Sequence, residues 1–215
     1  MVDGRKIINT NECIVVDLDN TLIDVNSTRM LAEFLVCKFL SKGKFGKFLN
    51  IVGFFIFRKT GRISHIILKH KIVCTALSEL SEKDLNYFAD KLITKLNPKV
   101  VELILTQIKH GRKVLIATAA SDIFMPLFLE RLPFDSDFIA TPYSQSLDKY
   151  IENRSEEKLK NVTHYLETNG LILKIFITDH FEDRPLLEYN QGHNYLVGPS
   201  KTTLECLKGI KYTII

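Results

Sequence analysis

The sequence predicts an α/β fold: a Rossmann-like parallel sheet with a small all-helical insert after the first strand. Three observations predict it. Apolar runs of strand length at 13–16, 113–118 and 174–178 alternate with longer stretches of helical periodicity. The first and third runs pass straight into carboxylates, Asp17 and Asp19 in one case, Asp179 and Asp183 in the other. Between residues 25 and 95 four helical patterns follow one another with no strand pattern among them.

The elements follow in order. After the strand at 13–16, helices at 28–40, 44–58, 63–73 and 82–96 form the insert, and Ser81-Glu-Lys-Asp84 reads as a capping box opening the last of them. Pro98 starts a helix that Gly111 ends, the usual asymmetry of proline inside the start and glycine past the end. Strand 113–118, helix 122–132, strand 137–141 and helix 156–168 come next, with Ser155 as the N-cap of that last helix. Strand 174–178, a short helix from Arg184, strand 194–197 and an edge strand within 210–215 complete the sheet. The division is a core of residues 1–24 and 96–215 carrying a helical cap of residues 25–95.

Asp17 and Asp19 leave the end of a buried strand two residues apart, so the pleat places both on one side before the chain turns at Asn20-Thr21. At about 4 Å and an effective dielectric near 20, two such charges repel by roughly 4 kcal/mol. A divalent cation or a shared proton removes that cost. The pair therefore predicts a metal, a proton-transfer role, or both. In an open parallel sheet the loops beyond the carboxyl ends of the strands converge, which brings Asp179 and Asp183 to the same place. Thr118 ends a strand there with a hydroxyl, and Lys158 adds a cation in the first turn of a helix. Lys158 is preferred over Lys160, Lys149 and Arg154 because Leu159, Val162 and Leu166 mark the buried face behind it. Each residue has a plainer reading: turn formers for Asp17 and Asp19, a cap on the Arg184 helix for Asp183, a helix N-cap for Ser121, a surface loop histidine for His180. Two acidic strand ends in one chain weigh toward chemistry.

In this order and setting the residues resemble the four motifs of the haloacid dehalogenase superfamily of phosphohydrolases, from Cys13 to about Leu204. Motif one is Asp17-Leu-Asp19-Asn-Thr21, motif two Thr118, motif three Lys158, and motif four Asp179 to Asp183 with Pro185-Leu-Leu following. The resemblance implies that Asp17 attacks phosphorus, that Asp19 acts as acid and then base, and that Thr118, Ala119 and Lys158 bind the phosphoryl group. It also implies Mg²⁺ held by Asp17, the backbone carbonyl of Asp19 and Asp179, with Asp183 reaching it through water or orienting the site. The oxygen-only set suits magnesium, which keeps several waters and few carboxylates.

The insert resembles the helical cap of the phosphoserine-phosphatase-like branch, as does Asn194-Tyr-Leu-Val-Gly-Pro-Ser200. Ile116-Ala-Thr-Ala-Ala-Ser121 looks closer to phosphatase-like domains that work beside membrane prenyltransferases. Two departures argue against phosphoserine as substrate. Asp24-Val-Asn26-Ser27 stands where that branch carries a glutamate for the substrate amine, and Ala119-Ala120 stands where it carries glycines.

Four cysteines, Cys13, Cys37, Cys74 and Cys206, form no paired spacing, which predicts buried free thiols in a reducing compartment. The polar start Met1-Val-Asp-Gly-Arg-Lys6 shows no signal peptide, so the expected location is cytoplasmic. Net charge is +4, unevenly spread: residues 25–95 hold 13 Lys and Arg against 5 Asp and Glu. No carboxylate occurs between Glu33 and Glu79, and the stretch contains Phe45-Gly-Lys-Phe-Leu-Asn-Ile-Val-Gly-Phe-Phe-Ile-Phe57. That run is too short to span a bilayer and is broken by Lys47 and Asn50. Helices with an apolar stripe usually pack on protein, so the preferred reading is a cap helix with Phe and Ile turned to its neighbours. The missing carboxylates leave open peripheral contact with an anionic membrane or a membrane prenyltransferase.

The expected function is Mg²⁺-dependent hydrolysis of a phosphomonoester, small or lipid-linked. The alternatives are a soluble metabolite phosphatase and a non-catalytic phosphate-binding scaffold. Nucleic-acid binding is the weaker contender, since no binding module is visible.

Overall fold

A computed structural model describes residues 10–215; the amino-terminal segment read for a signal peptide lies outside the described residues. Among the described residues six parallel strands form one sheet: β1 (Glu12–Val16), β2 (Lys113–Ser121), β3 (Asp137–Thr141), β4 (Ile172–Thr178), β5 (His193–Leu196) and β6 (Thr213–Ile214). Their order is β3-β2-β1-β4-β5-β6. The chain moves outward from β1 through β2 to β3, then returns to β4 on the other side of β1. The crevice beyond β1 and β4 is thus the switch point at which such sheets bind ligands.

β1 is buried on both faces, as the strands of parallel sheets are. Its alternation divides the core. Cys13 and Val15 join Leu115, Ala117, Val162, Leu166 and Phe176 on one side. Ile14 and Val16 join Ile116, Val100 and Ile104 on the other.

Between β1 and β2 come α1 (Ser27–Ser41), α2 (Phe45–Lys59), α3 (His65–Glu79), α4 (Glu82–Ile93) and α5 (Pro98–Ile108). Leu31, Phe39, Ile72 and Phe88, from three of the first four helices, belong to the same hydrophobic cluster as Ile14 and Val16. The insert is therefore packed continuously onto one face of the sheet. The capping box forms, with Ser81 Oγ accepting from Asp84 N and Asp84 Oδ2 accepting from Ser81 N.

Several expectations are corrected. The helix expected at 122–132 is a 3-10 turn at Asp122–Phe124 followed by α6 (Met125–Leu129), because Pro126 fits only the first turn of a helix. β2 runs on to Ser121, whose hydroxyl makes no cap bond. Ser155 is not an N-cap: it is the first residue of α7 (Ser155–Thr168), at φ +50°, and Arg154 takes the cap position without a side-chain bond. After β4 comes α8 (Arg184–Tyr189), and Asp183 precedes it without capping it by its side chain. A further helix, α9 (Lys201–Cys206), was not foreseen; Ser200 caps it through Thr203 N.

Of the four cysteines, all free, only Cys13 is buried, while Cys37 and Cys206 are exposed. No helix among the described residues is long and apolar enough to cross a membrane. The packed reading of the aromatic helix holds for one side only: Ile51 is buried and Phe48 and Phe54 pack against the core cluster, while the other side is corrected. α2 buries only Ile51, and Phe45, Leu49, Phe55, Ile56 and Phe57 are exposed. Lys44 and Lys47 both bind Glu79 of α3, so a polar contact occupies part of the inner side of α2.

Candidate active site

Asp17 continues the β1 ladder by one bond, its N–H donating to Ile177 O at 2.9 Å. The chain then turns sharply. Asn20 takes the left-handed region at φ +56°, which asparagine tolerates better than most residues. Leu22 N and Ile23 N donate back to Asp17 O and Leu18 O at 3.2 and 3.0 Å. This fold-back points the chain into α1, whose first turn receives the Asp19 carboxylate. Asp19 Oδ1 accepts from Ser27 N at 2.9 Å and Oδ2 from Asn26 Nδ2 at 3.0 Å. Asn26 also caps α1, its Oδ1 accepting from Arg29 N. Both Asp19 side-chain oxygens are thus engaged, and burial pushes its pKa above the ordinary carboxylate range.

Lys158, in the first turn of α7, is buried and stands between two acids: its Nζ is 2.9 Å from Asp17 Oδ1 and 2.7 Å from Asp183 Oδ1. Val162 and Leu166 are buried behind it, whereas Lys160 is exposed and pairs with Glu157. Burial alone would lower the Lys158 pKa; Asp17 and Asp183 outweigh it and hold the ammonium well above its usual range. Asp183 Oδ2 accepts from Thr178 Oγ1 at 2.7 Å, so both of its oxygens are occupied too. Asp179, after the adjacent strand β4, receives only a 3.4 Å bond from Thr21 Oγ1.

One lysine thus serves three neighbouring acids. Burial, then the charges of Asp183 and Asp179, push Asp17 up to about 7 against the pull of Lys158. Burial and Asp183 push Asp179 up to about 6. The excess negative charge tests the fit of a cation. The donors with spare capacity are the carboxylates of Asp17 and Asp179 and the Asp19 backbone carbonyl, all oxygen. Among the described residues no three His, Cys, Asp or Glu side chains converge on a metal position. The donor set is oxygen alone, and magnesium, which retains water and takes few carboxylates, fits it.

Thr118, buried in β2, accepts from Ala120 N at 3.0 Å, which leaves its hydroxyl proton for another partner. Asp17, Asp19, Thr118, Ala119, Lys158, Asp179 and Asp183 all line one cavity of about 430 Å³. His180 lines it as well.

Sequence reasoning missed the groups that surround this set. Arg58, His65, Lys69 and Asn26 reach the cavity from the insert, and Arg154 and Glu182 from the core. Lys69 carried a usable signal, since a lysine four residues before Val73 sits on a face that is otherwise apolar. Its Nζ lies 2.7 Å from Glu152 Oε1 and donates to Ala119 O at 3.3 Å.

The profile of haloacid dehalogenase-like hydrolases matches residues 14–188. A search of curated proteins finds no match. Among solved structures, a protein of unknown function from Bordetella pertussis Tohama I is 18% identical, with a TM-score of 0.77 over 96% of this chain and 99% of that one. A phosphoserine phosphohydrolase-like protein from Francisella tularensis is 17% identical, with a TM-score of 0.56 over 95% and 94%. A phospho-aspartyl intermediate analogue of phosphoserine phosphatase is 16% identical, with a TM-score of 0.57 over 94% and 92%. These likenesses concern the fold. With the profile covering most of the sequence and the acidic strand ends meeting at one crevice, the chain belongs to the haloacid dehalogenase-like hydrolase family.

Proposed function

We propose that this chain is a Mg²⁺-dependent phosphomonoester phosphatase working through an aspartyl-phosphate. The observation that carries the reading is the arrangement at the switch point: Asp17 held by Lys158 at 2.9 Å, beside Asp179 and with Asp19 fixed against α1. Asp17 attacks phosphorus through a carboxylate oxygen as the bond to the leaving oxygen breaks. Asp19 supplies the proton that the leaving oxygen needs, and burial, by raising its pKa, suits it to carry one. In the second half, Asp19 takes a proton from water, whose oxygen attacks phosphorus and frees Asp17 and inorganic phosphate. Lys158 and the Thr118 hydroxyl hold the phosphoryl oxygens, a form of charge compensation that is usually the largest catalytic contribution. When bound, Mg²⁺ would neutralise charge on the same oxygens, held by Asp17, Asp179 and the Asp19 carbonyl, with Asp183 placed through Lys158. The phosphoserine phosphatase solved as a phospho-aspartyl intermediate analogue shares this fold, which supports the covalent route.

For the substrate we favour an amphiphilic or lipid-linked phosphate over a small soluble one, because the cavity opens beside the basic, aromatic α2, whose Arg58 lines it and whose Phe45, Leu49 and Ile56 are exposed. A soluble sugar phosphate or phosphoamino acid is the second reading, supported by the phosphoserine phosphatases among the structural likenesses. Hydrolysis of p-nitrophenyl phosphate with Mg²⁺ tests the activity. The wild-type chain turns it over and Asp17→Asn does not; comparable rates in both would refute the assignment. A screen across sugar phosphates, phosphoamino acids and prenyl phosphates then ranks the substrate classes.

A further inference from the structure

We infer that the outward face of α2 is a docking surface for an anionic lipid bilayer, on which the helix lies flat. Phe45, Leu49, Val52 and Ile56 fall at the spacing i, i+4, i+7, i+11, one stripe along the helix. Three of its four members face solvent: Phe45 and Leu49 are each 63% exposed and Ile56 is 55% exposed, whereas Val52 is half-buried and Ile51, with Phe48 and Phe54, packs on the core. Phe55 and Phe57 flank it, and Arg62 lies over the Phe57 ring. At about 1.5 Å of rise per residue the stripe runs for roughly 17 Å, far more than a scattered exposed side chain.

Charge decides between occupants. Lys42 precedes the stripe, and Arg58, Lys59 and Arg62 follow it, all exposed and with no carboxylate between Glu33 and Glu79 to oppose them. A partner must then be anionic at both ends of the stripe and apolar between them, which a bilayer with anionic headgroups over an acyl layer provides. A protein partner would instead require shaped recesses for anchors to enter. None of the principal cavities among the described residues is lined by the apolar residues of α2. A convex stripe with cations at both ends suits a fluid surface that needs no such fit.

The docking surface stands apart from the phosphatase reading; only its consequence for substrate rests on that reading. Arg58, in the last turn of α2, lines the cavity that holds Asp17. A helix lying in the headgroup layer would set that cavity beside phosphates presented by the membrane.

The experiment is co-sedimentation of the full chain with vesicles of phosphatidylcholine alone and of equal parts phosphatidylcholine and phosphatidylserine. The wild type is expected to sediment with the anionic vesicles and to be released as salt rises. The triple variant Phe45→Ser, Leu49→Ser, Ile56→Ser should lose at least roughly tenfold in vesicle affinity. Its p-nitrophenyl phosphate hydrolysis and its circular dichroism should match the wild type. No sedimentation of the wild type with either vesicle, or equal sedimentation of the variant, overturns the proposal. So does a wild-type dimer in light scattering that the triple variant abolishes, since a second copy would then be the occupant. Vesicle binding without phosphatase activity would leave the docking surface standing and sink the catalytic assignment; activity without vesicle binding would do the reverse.

Discussion

Lys69 of α3 and Glu152 of the loop before α7 meet at 2.7 Å with side chains only 7% and 5% exposed, joining the helical insert to the core beside the cavity. Glu152 Oε1 makes no bond of hydrogen-bond geometry, so charge holds the pair. Arg154 stands 3.9 Å from Glu152 Oε2 and gives weaker support. Removing one member of a buried pair strands the other. Lys69→Met is therefore expected to destabilise the protein by about 3–5 kcal/mol in urea denaturation. Adding Glu152→Leu should recover most of that loss. A single-variant cost below about 1 kcal/mol would show that the pair behaves like a surface one.

Replacing Asp17 should separate activity from stability. Its carboxyl titrates at about 7 in the folded chain, pushed up by burial and by Asp183 and Asp179, against an ordinary value of 3.8. A raised folded pKa means that the native state holds the proton more tightly than the unfolded chain. The stability from this group is then complete below about pH 4 and is lost as pH rises through about 7. Without metal, Asp17→Asn should melt a few degrees above the wild type at pH 8 although it is inactive. The gap should close toward pH 4. A variant that melts lower at pH 8 would contradict the crowding of acids around Lys158.

Metal should act in the opposite sense with pH. A cation bound by Asp17 and Asp179 needs both deprotonated, and they titrate at about 7 and about 6. Calorimetric melting with Mg²⁺ and with EDTA is expected to show a larger Mg²⁺-dependent rise in Tm at pH 8 than at pH 5. A rise of the same size at both would place the ion elsewhere.

These acids were legible in the sequence for a physical reason. Strands buried on both faces read as continuous apolar runs, and the residues that follow must lie at the carboxyl edge of the sheet. Lys158 was legible because Val162 and Leu166 fix which side of α7 is buried. His65 and Arg58 were not, because their convergence depends on how the insert packs against the core; Lys69 was marked only by its place on an otherwise apolar face. Periodicity gave α2 an apolar stripe but not its direction. Ile51, Phe48 and Phe54 face the core as expected, but the exposed stripe was misread because Lys44 and Lys47 find Glu79 on α3, a contact between helices that no single-helix pattern reveals.

The choice between Lys158 and Lys160 can be put to the test directly. Lys158 Nζ bridges Asp17 and Asp183 inside the cavity, whereas the Lys160 side chain is 74% exposed and meets only Glu157. Lys158→Met removes the single cation that lies between two buried carboxylates. Turnover of p-nitrophenyl phosphate should fall by at least about 10²-fold, the scale for losing one preorganised charge at a transition state. Lys160→Met, which breaks an exposed i,i+3 pair, should retain near wild-type kcat and KM. Because Lys158→Met also leaves Asp17 and Asp183 facing each other, its residual activity should come with a lower Tm at pH 8 that recovers as pH falls and Asp17 takes up a proton. Equal losses in the two variants would mean that the lysine bridge seen between Asp17 and Asp183 is not the one the reaction uses.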